Sequence, residues 1–296
     1  MRKTELIQLY EKSLRFSKHA RIQRLGRNTA KHLYLKILTY LASWLEIPFE
    51  IKTETFWNEK MYVVIPEIIS LDIYRHGFYE EGLTRMILEY LTAGMVFFDI
   101  GAHFGYFTLL GSAVVGNSGQ VHAFEPIPHT FDILKKNVSG RCNVSLNNYA
   151  VYSKEDVFFI NDYGIKYSAF NSLYNARLSQ NIVSRVKAKK HKVKSVSVDS
   201  YVDSTGAVPD FVKIDAESSE YEILLGMQKT IKRYHPMISV EVGDMAVKGA
   251  STSSTLINFL VNTGYKPYEY DRGRILTHTL KRTQYRYDNL LFIPSK

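Results

Sequence analysis

The chain has 296 residues, 45% hydrophobic and 23% charged, enough for one or two packed domains. Its 17 Gly, 8 Pro and single Cys exclude a disordered chain, a collagen-like repeat and a disulfide scaffold; Cys142 has no cysteine to pair with and fits a reducing compartment. The formal charge of +9 is unevenly placed, since residues 1–36 carry ten Lys and Arg against Glu5 and Glu11, a net +8, and the rest is nearly neutral. Such an arm suits an anionic partner, whether a membrane surface, a phosphate-linked carrier or nucleic acid, although a solvated helix face has the same composition.

Leu6, Ile7, Tyr10 and Leu14 recur at helical spacing, as do Leu33, Ile37, Leu38 and Leu41, and predict two or three helices over residues 4–46, closed by Pro48. Leu33 to Leu45 falls short of the roughly 20 apolar residues of a spanning helix and contains Lys36. The charged N-terminus does not read as a secretory signal, so the expected location is cytoplasmic, with a peripheral position at a membrane as the variant. Alternation of Met61, Val63 and Ile65 predicts a strand in a small antiparallel element between Glu50 and Ile69. Gly77 then leads to an amphipathic helix from about Glu81 to Leu91.

Beyond Gly94, short apolar runs alternate with helical stretches. The runs are Met95 to Ile100, Gln120 to Phe124, Val144 to Leu146, Phe211 to Ile214 and Ile238 to Val242; the helices are Phe107 to Val115, His129 to Val138, Tyr221 to Lys232 and Thr255 to Asn262. This alternation predicts βαβ units and a doubly wound α/β domain. Tyr152 to Val198 interrupts it with a strand-like Val157 to Ile160, a polar loop through Asn171, Ser172 and Leu173, and the basic residues Arg185, Lys187, Lys189, Lys190, Lys192 and Lys194. This insertion is either a substrate lid or an exposed hairpin.

Three strand ends carry the chemistry. After Phe97-Phe98-Asp99-Ile100 comes the turn Gly101-Ala102-His103-Phe104-Gly105. The dinucleotide fingerprint places glycine at three positions, and here His103 and Tyr106 fill the second and third, which disfavours a pyrophosphate. An acidic residue before Gly-x-x-x-Gly suits a ligand with an amino-acid end, with Asp99 at its ammonium group and Gly101 and Gly105 making room; S-adenosylmethionine has that shape. The second strand ends at Glu125-Pro126, where a carboxylate can accept from both ribose hydroxyls. The third ends in Asp215-Ala216-Glu217-Ser218-Ser219-Glu220. Ser219 with Glu222 fits a capping box and Glu220 a helix N-terminus, whereas Asp215 and Glu217 sit at the ligand-binding edge, with a buried pair to Lys213 as the structural alternative.

In this order the motifs resemble those of the FkbM-type methyltransferase family. The matching segments are Gly77-Phe78-Tyr79-Glu80, Asp99 to Gly105, Ala123-Phe124-Glu125-Pro126, Val198-Asp199-Ser200, Lys213 to Glu220 and Asn289-Leu290-Leu291-Phe292, within residues 70–296. The resemblance implies an α/β, Rossmann-like class I methyltransferase fold with a doubly wound, mostly parallel sheet; residues 1–69, which it does not cover, read from periodicity and charge as a basic helical extension with a small strand element. It implies S-adenosylmethionine as cofactor, with Asp99, Gly101 and Gly105 around the methionine part, Glu125 on the ribose, and adenine near Asn148 and Ala150. His103 stands where the family usually has Asn, and can still donate a hydrogen bond to the cofactor; Ser218 stands where it usually has Gly.

The resemblance also implies an O-methyltransferase with a small-molecule or glycan hydroxyl as acceptor. An alcohol must lose its proton, for which Asp215, Glu217 and Glu241 are the candidate acceptors; no resident metal is expected, although a carboxylate-bound divalent ion is the alternative. Two other readings compete. A nucleic-acid methyltransferase would explain the basic arm, but no Asn/Asp-Pro-Pro-Tyr/Phe pattern follows the fourth strand; a non-catalytic binding module would explain His103 and Ser218.

Overall fold

The computed structural model describes residues 2–23, 29–172, 188–244, 251–281 and 284–295. Helices α1 (Lys3–Gln23) and α2 (Thr29–Leu45) precede an antiparallel hairpin of β1 (Phe49–Glu54) and β2 (Lys60–Ile65), on which the alternating Met61, Val63 and Ile65 are buried. Described residues of the extension share hydrophobic clusters with the rest of the chain. Leu6 and Tyr10 lie in the same hydrophobic cluster as Trp57, Phe78, Met86 and Phe97, and burying Leu6 alone contributes about 1.5–3 kcal/mol. Helix α3 (Ile68–His76) was not expected from the sequence. Glu67 opens it by accepting from the Ile69 and Ser70 amides, and Gly77 closes it in the left-handed conformation.

After α4 (Glu81–Tyr90) the chain alternates as expected: β3 (Val96–Ile100), α5 (Tyr106–Val115), β4 (Gln120–Phe124), α6 (Pro128–Asn137) and β5 (Val144–Asn147). The insertion follows as β6 (Ala150–Val151), β7 (Val157–Asp162) and β8 (Lys189–Val196), a three-stranded sheet of its own. Then come β9 (Phe211–Ile214), β10 (Met237–Val242), β11 (Tyr265–Asp271), β12 (Arg274–Thr277) and β13 (Asp288–Pro294). The helix expected over 221–232 is divided into Glu220–Leu225 and Gln228–Tyr234. The division falls at Gly226, where a Cβ would lie 2.3 Å from the Tyr152 carbonyl oxygen.

The main sheet has the order β12-β11-β13-β10-β9-β3-β4-β5. Strands β5, β4, β3, β9 and β10 are parallel, while β13 is antiparallel to both β10 and β11. Alternation along β3 sends Phe97 to the cluster shared with α1, α4 and α5, and Phe98 to a second cluster with Val198, Leu224 and Ile257. Strand order progresses one way from β3 to β4 and β5 and the other way to β9 and β10, so a crevice opens at the carboxyl ends of the central strands.

Candidate functional site

At the end of β3 the chain turns through Gly101, His103 and Gly105, all at positive φ. A Cβ on Gly101 would lie 1.7 Å from the Asp215 carbonyl oxygen, so glycine allows the β3 and β9 loops to close together at the wall of the crevice. A Cβ on Gly105 would meet the Leu134 side chain at 2.5 Å, so glycine also seats α6 against this turn. Asp99 stands at the end of the same strand. It is fully buried on the α5 face, Lys213 on β9 is its register neighbour with Nζ 3.1 Å from Oδ1, and Thr108 Oγ1 donates to Oδ2 at 2.6 Å. Asp99 thus pairs with the ammonium group of Lys213.

Strand β4 delivers Glu125 to the crevice wall. Its Oε2 accepts from the His103 amide and its Oε1 from the Ile127 amide, both at 3.0 Å. Burial raises its pKa to about 7 against the opposing pull of these amides and of Lys213. Each carboxylate oxygen can accept a further hydrogen bond. Asn148 braces this loop, donating to the Glu125 and Pro126 carbonyls at 2.8 and 3.2 Å, while the wall beyond it is made by Tyr149, Ala150 and Val151. Ala150 lines the crevice, whereas Asn148 acts through the loop it braces.

The opposite side is acidic. Asp215 and Glu217 line the crevice, Glu241 is buried behind them on β10, and one carboxylate oxygen of each lies within 4.8 Å of the others. Lys213 is held among them: Nζ donates to the Gly101 carbonyl at 2.8 Å and lies 3.6 Å from Asp215 Oδ2. Burial works against its ammonium, but Asp99 and Asp215 outweigh burial and raise its pKa.

Glu80 joins this group from the start of α4, although the sequence reading gave it no role beyond its place in Gly77-Phe78-Tyr79-Glu80. Burial and then Asp215 raise its pKa to about 7, and Tyr287 OH donates to Oε1 at 2.6 Å. Burial and the same carboxylates raise the pKa values of Tyr79 and Tyr287, which remain protonated donors on the wall.

The turn bearing Glu217 and Ser218 is left-handed at both, with φ of 47° and 80°. The expected capping box is absent. Ser219 makes no side-chain cap, and Glu220 Oε1 instead accepts from the Ala216 and Ser218 amides, fixing the turn from inside.

The insertion forms the remaining wall through Ile160, Ser168, Ala169, Asn171 and Ser172, which supports the lid reading. Ser168 Oγ lies 2.7 Å from His103 Nε2, and Ser172 Oγ donates to the Glu217 carbonyl at 2.6 Å, so the lid touches both sides. Burial, then Lys213 and His129, lower the His103 pKa to about 3, and its ring is a neutral hydrogen-bonding group. At the base of the lid, Asp162 Oδ2 receives His191 Nε2 at 2.9 Å and faces His129 of α6 at 3.6 Å. Lys189, Lys190, Lys192 and Lys194 lie exposed on β8; Leu173, Arg185 and Lys187 fall outside the described residues. The crevice holds a cavity of about 120 Å³ that opens to solvent at its mouth.

The Methyltransferase FkbM domain profile matches residues 99–267. The hexuronic acid methyltransferase AglP of Haloferax volcanii is 28% identical over 157 residues, which are 52% of this chain and 58% of that protein, so the chain spans little more than half the length of this relative. Similar solved structures include an FkbM methyltransferase from Methylobacillus flagellatus, at TM-score 0.41 and 14% identity over 67% of this chain and 43% of that one. Another is Aeropyrum pernix fibrillarin with bound S-adenosyl-L-methionine, at TM-score 0.41 and 10% identity over 69% and 67%.

Proposed function

The chain belongs to the FkbM methyltransferase family, and from that premise we propose that it is an S-adenosylmethionine-dependent O-methyltransferase acting on a saccharide hydroxyl. The residues present suit the cofactor. Glu125 retains acceptor capacity for two ribose hydroxyls, Ala150, Val151 and Ile127 offer an apolar wall for a base, and Asp215 suits the cofactor's cationic end. When bound, S-adenosylmethionine supplies a methyl group activated by its positive sulfur.

The observation that carries the acceptor reading is the convergence of Asp215, Glu217 and Glu241 at one edge of this crevice. A rim of carboxylates repels an anionic acceptor group and favours a neutral hydroxyl that donates to it. Asp215 is held by Lys213 and Glu241 is covered, which leaves Glu217 to take the hydroxyl proton. Tyr79 and Tyr287 hold their own protons and can orient the acceptor as donors. The lid excludes water through its contacts with His103 and Glu217. Similarity to a hexuronic acid methyltransferase supports a saccharide acceptor.

The test is incubation with methyl-labelled cofactor and fractionated glycans, lipids, proteins and nucleic acids. The expected product is labelled saccharide whose label survives alkali, as a methyl ether does and a methyl ester does not; label in nucleic acid or protein, or alkali-labile label, overturns the reading. Glu217→Gln should lower the turnover of the saccharide about 10²–10⁴-fold and leave cofactor affinity within a factor of two or so.

A further inference from the structure

Helix α2 carries two apolar stripes. Leu35 and Leu38 face the body, packing with Ile65 of β2 and Leu71 and Tyr74 of α3, and Ala42 on the same side is buried. On the opposite side Leu33, Ile37, Tyr40 and Trp44 follow one another at i, i+4, i+7 and i+11, which at 3.6 residues per turn confines them to about 60° of the helix circumference. All four are exposed, from 49% for Ile37 to 71% for Trp44, and Ile47 just beyond the helix extends the stripe at 54%. A core-facing helix spends its apolar residues on one side; this one presents a second set to the outside.

Beside the stripe runs a groove lined by His32, Lys36, Thr39, Tyr40, Ser43 and Arg75. Arg75 lies 3.7 Å from Asp72 at this edge, so the excess basic charge rests mainly with Lys36 and with the arm, whose Lys12 and Arg15 are exposed on α1. We infer that this face of α2 docks on an anionic lipid bilayer, with Leu33, Ile37, Tyr40 and Trp44 entering the headgroup region and Lys36 and Arg75 meeting lipid phosphates. Aromatic and aliphatic side chains beside basic groups are the composition of interfacial helices. A second copy of the chain is a poorer occupant. Residues 33–44 offer a strip about 18 Å long and about 10 Å wide, well below the about 800 Å² per partner of a stable dimer.

Docking would also position the crevice. Helix α3 packs on α2 through Leu71 and Tyr74 and contributes Ile69 to the crevice wall, so the two sites share one rigid element. An acceptor presented at a bilayer surface would then meet the crevice from the docked side. The inference itself stands whatever the crevice catalyses.

The test uses the full chain with vesicles of phosphatidylcholine alone and of phosphatidylcholine mixed with phosphatidylglycerol, read by co-sedimentation and tryptophan emission. Trp44 is exposed and Trp57 buried, so a blue shift on binding reports Trp44. Sedimentation with the anionic vesicles should exceed that with the neutral ones at least about tenfold and weaken with salt. Ile37→Ser with Trp44→Ser should abolish it, and Lys36→Glu with Arg75→Glu should reduce it about tenfold or more, with circular dichroism and cofactor binding unchanged. Absence of sedimentation, binding that survives both double variants, or a dimer in light scattering that the Trp44 variant dissolves would each overturn the inference.

Discussion

The two sides of the crevice solve different electrostatic problems. On the β4 side one carboxylate, Glu125, is surrounded by backbone amides, and its position is fixed by hydrogen bonds from His103 and Ile127. On the β9 side Lys213 pairs with Asp99 and Asp215 and interacts with Glu80, while Glu217 and Glu241 converge on Asp215, so that charge balance weighs on the whole group. Amide-held groups are suited to binding a ligand of fixed shape. Crowded carboxylates share protons, and are suited to moving one.

Four changes test this contrast, beginning with the largest expected effect. Lys213→Met removes the cation and leaves Asp99 buried with its charge uncompensated, which should cost about 3–5 kcal/mol in urea unfolding. Adding Asp99→Asn should recover a large part of that loss; no recovery would show that the pair does not set the stability of the acidic side.

Glu125→Gln should weaken S-adenosylmethionine binding about 100-fold by calorimetry, since two hydrogen bonds to a charged acceptor are each worth about 1.5–3 kcal/mol and the amide keeps only part of them. A change of less than a few-fold would place the ribose elsewhere.

The third test is pH. With its pKa near 7, Glu125 must ionise to accept hydroxyl donors well, so cofactor affinity should rise up to about tenfold per pH unit below 7 and level off above it. The apo protein should show the opposite trend. A folded-state pKa raised above the ordinary 4.5 contributes stability that is full below 4.5 and lost as pH rises through about 7. Buried neutral His103 acts in the other sense, losing stability as pH falls below 6.5, so the melting curves should be compared with those of Glu125→Gln, in which only the Glu125 contribution is removed.

The smallest effect is expected at Ser218, whose φ of 80° costs an L residue about 1–2 kcal/mol. Ser218→Gly should raise stability by about 1 kcal/mol, visible as a shift of a few degrees in Tm.

Much of this was legible in the sequence. The five parallel strands were marked by apolar runs between helical periods, and Glu125 and Asp215 by their place at strand ends. Gly101 was marked as a close approach, although the neighbour proved to be the Asp215 backbone. The contacts that the local sequence does not announce share a cause. Asp99 and Lys213 are 114 positions apart and become partners only by strand register, and Gly105 is explained by Leu134 across an interface. The capping box was a valid local pattern, overruled because Glu220 serves the preceding turn. Glu80 carried no local signal that it would join Asp215, since α4 and β9 meet only in the folded chain.

The sequence by itself determined the alternation of the five parallel strands with helices and the basic arm, because hydrophobic period, glycine turns and charge are properties of neighbouring residues. Only the tertiary structure decided which carboxylates face the crevice, which lie beneath it, and which side of α2 is left to the outside. Those outcomes depend on strand register and on which faces meet, and both are settled between residues far apart in the chain.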